Sequence, residues 1–170
     1  MAFLVVATDP LHSDFSEELQ ELAAIGAEFR TARCRTEEDV AEACRDADGL
    51  LVTFAPVGRR ALAGLARCRI VVRYGVGYDT LDVAAATERG VMVANVPDYC
   101  VGEVADHTLA LLLCLSRQIC QLNARIRTQG WSGPLQPVPR LEGRVLGIIG
   151  LGRIGRAVAA RARGFGLRII

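Results

Sequence analysis

The string Gly150-Leu151-Gly152-Arg153-Ile154-Gly155 has the spacing of a phosphate-binding turn. Three glycines at G-x-G-x-x-G signify little unless a strand precedes them and a helix follows. Here the apolar run Val145 to Ile149 reads as a buried strand, and Arg153 to about Arg163 reads as a helix. In that setting Gly150 permits the tight turn, Gly152 lets backbone approach a pyrophosphate, and Gly155 lets helix and strand close together. The helix N-terminus adds N–H groups and positive potential. Between Gly143 and Ile170 stand Arg144, Arg153, Arg156, Arg161, Arg163 and Arg168 with no acidic residue. A solvated helix face accounts for Arg161 and Arg163 better than for Arg153, which sits inside the turn.

A second constellation is Arg73-Tyr74-Gly75-Val76-Gly77-Tyr78-Asp79. Ligands of open parallel sheets sit beyond the C-terminal ends of the strands, here the loops at Asp9-Pro10, Ala55-Pro56, Tyr74 to Asp79 and Asn95 to Cys100. Two glycines one residue apart expose successive backbone N–H groups, a nest suited to a carboxylate, beside the cation of Arg73. The plainer alternative is that the glycines only make a turn and Asp79 only caps the next helix.

Composition narrows the chemistry. All 20 basic residues are Arg, which removes Schiff-base lysines and the P-loop lysine. His12 and His107 are the only histidines, leaving few groups for proton transfer or zinc; His107 sits one turn after Glu103, as an i,i+4 partner would. The six cysteines form no CxxC pair and read as reduced, mostly buried small hydrophobes. A net charge of +1 offers no general attraction to nucleic acid or anionic lipid. The apolar stretch Thr108 to Leu115 is far shorter than the ~20 residues of a membrane span. No basic n-region precedes the first apolar run, so a cytoplasmic location is expected.

The elements that must position these residues alternate. Expected strands cover Phe3 to Ala7, Glu28 to Ala32, Leu50 to Phe54, Ile70 to Arg73 and Val91 to Ala94. Between them run helical patterns. Asp14 with Glu17 and Thr36 with Asp39 resemble capping boxes, Arg59 to Leu65 is short, and Leu81 to Arg89 ends at a left-handed Gly90. Alternation of this kind is the sign of parallel βαβ units. Val101 to about Gln129 reads as one long helix, apolar almost all round from Leu109 to Leu115 and so expected to be buried between two bodies. A Pro- and Gly-rich loop follows at 130–140, and the last strand is Leu167 to Ile170. A lone βαβ unit cannot enclose its own core, so Val145, Ile148, Ile149, Ile169 and Ile170 are expected to present apolar surface.

The segments VVRYGVGYDTLD, GVMVANVP, VADHTLALLLCLSR, GW and LGIIGLGRIG occur in the order and spacing of the D-isomer-specific 2-hydroxyacid dehydrogenases, and the chain resembles that family over nearly its whole length. The resemblance implies a flavodoxin-like parallel-sheet substrate domain at 1–100, an inter-domain helix at 101–129, a linker at 130–140, and the first βαβ unit of a Rossmann NAD-binding domain at 141–170. It also implies that the N–H groups of Val76 and Gly77 hold the carboxylate of a small 2-oxo or 2-hydroxy acid, with Arg73 nearby. Thr108 would face NAD, and Arg153 and Ile154, within Gly150, Gly152 and Gly155, would meet its pyrophosphate. A homodimer is implied for the full-length protein. The family's catalytic Arg, Glu and His have no counterparts among these residues, so the 170-residue chain alone is expected to be inactive. Asp106 replaces the family's more usual Glu, as in the C-terminal-binding-protein corepressors, which similar segments also resemble; an NAD-sensing binding protein is the alternative.

Overall fold

The computed structural model describes residues 2–131 and 137–170. They divide into two compact units, Met1–Pro97 and Asp98–Ile170. In the first, β1 (Leu4–Ala7), β2 (Glu28–Thr31), β3 (Gly49–Val52), β4 (Ile70–Arg73) and β5 (Met92–Asn95) form one parallel sheet in the order β2-β1-β3-β4-β5. The connecting helices are α1 (Ser16–Ala24), α2 (Glu37–Ala43), α3 (Arg59–Gly64) and α4 (Val83–Glu88). This is the flavodoxin-like order, which reverses direction between β1 and β3.

Alternation along the strands divides the two faces. Val6, Leu50, Val52 and Val71 point into the main core with Val40, Leu62 and Ala85 of the helices. The opposite face carries Val5, Leu51, Ile70, Val72 and Met92, and a cleft of about 410 Å³ lies between it and Leu22 and Ile25. Helix α1 buries none of its residues, and Leu19 is 51% exposed, so its apolar face is only loosely seated.

Local chemistry sets the boundaries. The third strand, expected to reach Phe54, stops at Val52 because the next N–H groups leave the ladder for the Asp9 carboxylate. The fourth helix starts at Val83 because Asp82 caps it by accepting from the Ala85 N–H at 2.8 Å, while Leu81 bridges to Val57. Gly90, at φ +69°, ends this segment as expected. Thr36 and Asp39 form a reciprocal capping box on α2. Asp14 and Glu17 do not: the N-cap is Phe15, and Asp14 accepts from the Ser16 N–H at 3.0 Å, closing a local Asx-type turn instead.

The second unit holds α5 (Val101–Ser116), α6 (Ile119–Gln129), β6 (Val145–Leu146), α7 (Arg153–Arg163) and β7 (Arg168–Ile169). The single helix expected over 101–129 is broken. Arg117 closes α5 and Gln118 takes the left-handed conformation at φ +53°. No Gly or Pro marks the break, and Ser116 Oγ donates to the Leu113 carbonyl there at 3.3 Å. Expected burial all round α5 is not observed either: Ala105 and Leu109 are buried against α7, while Leu111 and Leu115 are 53% and 70% exposed. Residues 132–136 of the expected linker lie outside the described residues. Parallel β6 and β7 pair, extended by Ile148 N–H donating to the Ile170 carbonyl at 2.8 Å. Ile148 and Ile169 turn inward against the small core, contrary to expectation, whereas Val145, Ile149 and Ile170 are exposed. Among the described residues no helix is long and apolar enough to cross a membrane.

Candidate functional site

In the first unit the loop after β4 is held at its edges and open in its middle. Tyr74 N–H donates to the Val52 carbonyl at 2.7 Å, Gly75 accepts from Val96 N–H, and Asn95 Nδ2 donates to the Val76 carbonyl at 2.7 Å. Among the described residues nothing accepts from the N–H groups of Val76 or Gly77. Two adjacent free donors on an anchored loop are what a nest for an anion requires. Asp79 is not the helix cap, since Asp82 takes that role. Its Oδ2 would lie 3.4 Å from a Cβ on Gly77, so the nest has a carboxylate beside it.

Arg73 folds back on this loop. Its Nη1 donates to the Tyr74 carbonyl, and its guanidinium carbon lies 5.6 Å from the centroid of the Phe54 ring. The buried Nε has no hydrogen-bond partner among the described residues. A Cβ at Gly75 would stand 1.7 Å from Nη1, so only glycine leaves the guanidinium its place. Tyr74 hydroxyl donates to Glu18 at 2.9 Å; burial, then that carboxylate, push its pKa above the ordinary value.

Asp9 is a site residue that the sequence reading missed. Its carboxylate accepts from the N–H groups of Thr53 (2.9 Å), Phe54 and Ala55 (2.9 Å), and from the Thr8 hydroxyl (2.7 Å). It thereby fixes the turn after β3 and the backbone of Phe54, whose ring lies under Arg73. Its place in the Asp9-Pro10 loop was the available signal; its partners, 44 to 46 residues away, were not. A cleft of about 560 Å³, lined by Asp9, Leu11, Arg33, Arg35, Phe54 and Ala55, opens at these strand ends. That is the point where strand order reverses and where open α/β sheets bind ligands.

In the second unit the glycine turn has the expected form. Gly150 sits at φ +97°, a conformation that L side chains rarely adopt. Gly155 packs so closely that a Cβ there would lie 2.0 Å from the Gly150 carbonyl oxygen. Gly152 is the N-cap of α7, offers no side-chain cap, and would point a Cβ into open space. The first turn of α7, with Arg153 and Ile154, thus follows a backbone that no neighbour covers at Gly152, which is compatible with close approach of a pyrophosphate. Thr108 is exposed on α5 and donates its hydroxyl to the Val104 carbonyl at 2.7 Å. Asp106 pairs with Arg161 of α7 at 2.5 Å, so Arg161 is a tie between helices rather than part of a solvated face. His107 and Glu103 make no bond to each other; both are exposed, and an i,i+4 pair is worth only about 0.2–0.5 kcal/mol.

The sequence profile of the D-isomer specific 2-hydroxyacid dehydrogenase catalytic domain matches residues 5–165, and the chain belongs to that family. It is similar to the D-3-phosphoglycerate dehydrogenase of Methanocaldococcus jannaschii, at 38% identity over 98% of this chain and 31% of that protein. It is also similar to the glyoxylate reductase of Korarchaeum cryptofilum, at 38% identity over 77% of this chain and 41% of the other. Among solved structures, the TT0316 protein of Thermus thermophilus superposes with a TM-score of 0.86 at 31% identity, over 98% of this chain and 55% of that one. The chain therefore spans between about a third and about half the length of these relatives. The corepressor alternative receives no support from them.

Proposed function

We propose that these residues supply the substrate loop and the pyrophosphate turn of an NAD-dependent 2-hydroxyacid oxidoreductase. The observation that carries this reading is the pair of unpartnered N–H groups at Val76 and Gly77, on a loop braced by Asn95, in a chain of this family. A carboxylate seated there would leave the neighbouring keto carbon displayed at the strand ends, and the Arg73 cation would add attraction. The uncovered backbone at Gly152 leaves room for the pyrophosphate of NAD, which supplies or takes the hydride when bound. The chain's own residues bind and orient; proton transfer falls to groups of the whole protein that the family likeness places elsewhere. Six free thiols accord with a cytoplasmic setting, and the family likeness suggests a homodimer.

Two variants of the whole protein test the two halves separately. Gly152→Val should weaken NADH binding, read by fluorescence titration, by blocking backbone approach. Gly77→Val should raise KM for 2-oxo acids such as glyoxylate while leaving NADH affinity unchanged. Unchanged NADH affinity in the first variant, or an unchanged KM in the second, would remove the corresponding assignment.

A further inference from the structure

Cys114, near the end of α5, and Cys120, in the first turn of α6, bring their sulfurs within 3.3 Å. In an unbroken helix residues six apart lie about 9 Å apart along the axis and about a third of a turn apart around it, and their side chains do not meet. The contact exists only because the chain bends at left-handed Gln118. Cys120 is exposed and Cys114 partly so. Cys34 and Cys44 are both buried, and burial pushes Cys44 up to about 12. Cys68 is likewise pushed up by burial, to about 11. Cys100 is partly exposed, like Cys114, and the hydrogen bond to Cys114 raises Cys120 as well, so what sets the pair at the bend apart is the exposure of Cys120 with a second sulfur already at 3.3 Å.

We infer that Cys114 and Cys120 are a redox-active dithiol that closes into a disulfide across the bend and latches α5 to α6. Cys120 as thiolate attacks one sulfur of a small-molecule disulfide and expels one thiolate. Cys114 as thiolate then attacks Sγ of Cys120 and expels the other. Two protein thiols are oxidised, the small disulfide is reduced to two thiols, and the two protons pass to the departing thiolates. The sulfurs need only close from 3.3 Å to the bond length of about 2.05 Å. Once formed, the bond fixes the bend at Gln118 and ties the end of α5 to the start of α6.

The test is equilibration of the 170-residue chain with oxidised glutathione, followed by acid quench, alkylation and tryptic mapping. Cleavage after Arg117 separates the two cysteines, so the disulfide should join peptide 90–117 to peptide 118–125 within one chain, with fragmentation placing the link at Cys114 and not at Cys100 of the same peptide. Thiol titre in denaturant should fall from six to four. Amide exchange in α6 should slow on oxidation. Cys114→Ser should stop at a glutathione adduct on Cys120. A wild-type chain that also stops at that adduct, keeps all six thiols, links instead between isotopically distinct copies, or closes with no change in α6 exchange would overturn the assignment.

Discussion

Asp9 accepts from three successive N–H groups of the turn after β3, and removing that acceptor leaves them short of partners. Asp9→Ala is expected to cost about 1–3 kcal/mol in urea unfolding, with Asp9→Asn recovering part of the loss. Wild-type stability in the alanine variant would mean that water replaces the carboxylate without penalty. Gly155 makes the converse case. A methyl there would press 2.0 Å from the Gly150 oxygen, so Gly155→Ala should lose about 1–3 kcal/mol despite the better helix propensity of alanine. The two residues differ in legibility for a physical reason. Gly155 acts on a neighbour five positions away, within a spacing that encodes the turn. Asp9 acts across 44 residues, where only the folded sheet brings donor and acceptor together.

The elements were legible where propensity and capping agree. Helix α7 runs over Arg153–Arg163 as its pattern indicated, because strand, glycine turn and amphipathic face all specify it. The bend at Gln118 escaped the reading, since the apolar period continues through it and no breaker residue stands there. Asp14 carried the right residue type one position too early to cap α1. The capping box of α2 gives a pH-dependent prediction. Backbone N–H groups of Arg35, then Thr36, hold the Asp39 carboxyl below its ordinary value. A depressed folded value means that its stabilisation is fully present above the ordinary carboxylate value of about 4 and is lost as pH falls through the lower folded one. Asp39→Asn should therefore destabilise the chain at neutral pH and shrink the difference from wild type in acid, as measured by thermal melts across that range. An identical deficit at every pH would assign the effect to packing.

At the scale of the whole molecule, the two units have unequal cores. The first buries a continuous cluster reaching from Val6 to Val91, and the second a small one around Ala105, Leu109, Val158, Ala162 and Leu167. Local opening follows buried apolar contact, so amides of β6, α7 and β7 should exchange faster than those of β1 and β3. Comparable protection in both units would contradict that ranking. For the same reason, and on the proposed reading that proton transfer falls to groups of the whole protein outside these residues, the purified 170-residue polypeptide should not oxidise NADH with any 2-oxo acid. Turnover above a blank preparation that Gly77→Val abolishes would show that copies complete the site between them.

The register of the sheet carries a consequence for how the chain reaches its native state. Leu4 pairs with Glu28, Val5 with Gly49, Gly49 with Ile70, and Ile70 with Met92, so every ladder in the first unit joins residues more than twenty positions apart. No hairpin is available to start it. Loop-closure entropy must be met before any strand pair is rewarded, which makes such a sheet slower to form than a bundle of locally paired helices. The central pairing of β1 with β3 spans the longest loop, and a refolding chain meets that barrier before the turn beneath Phe54 can take shape around Asp9.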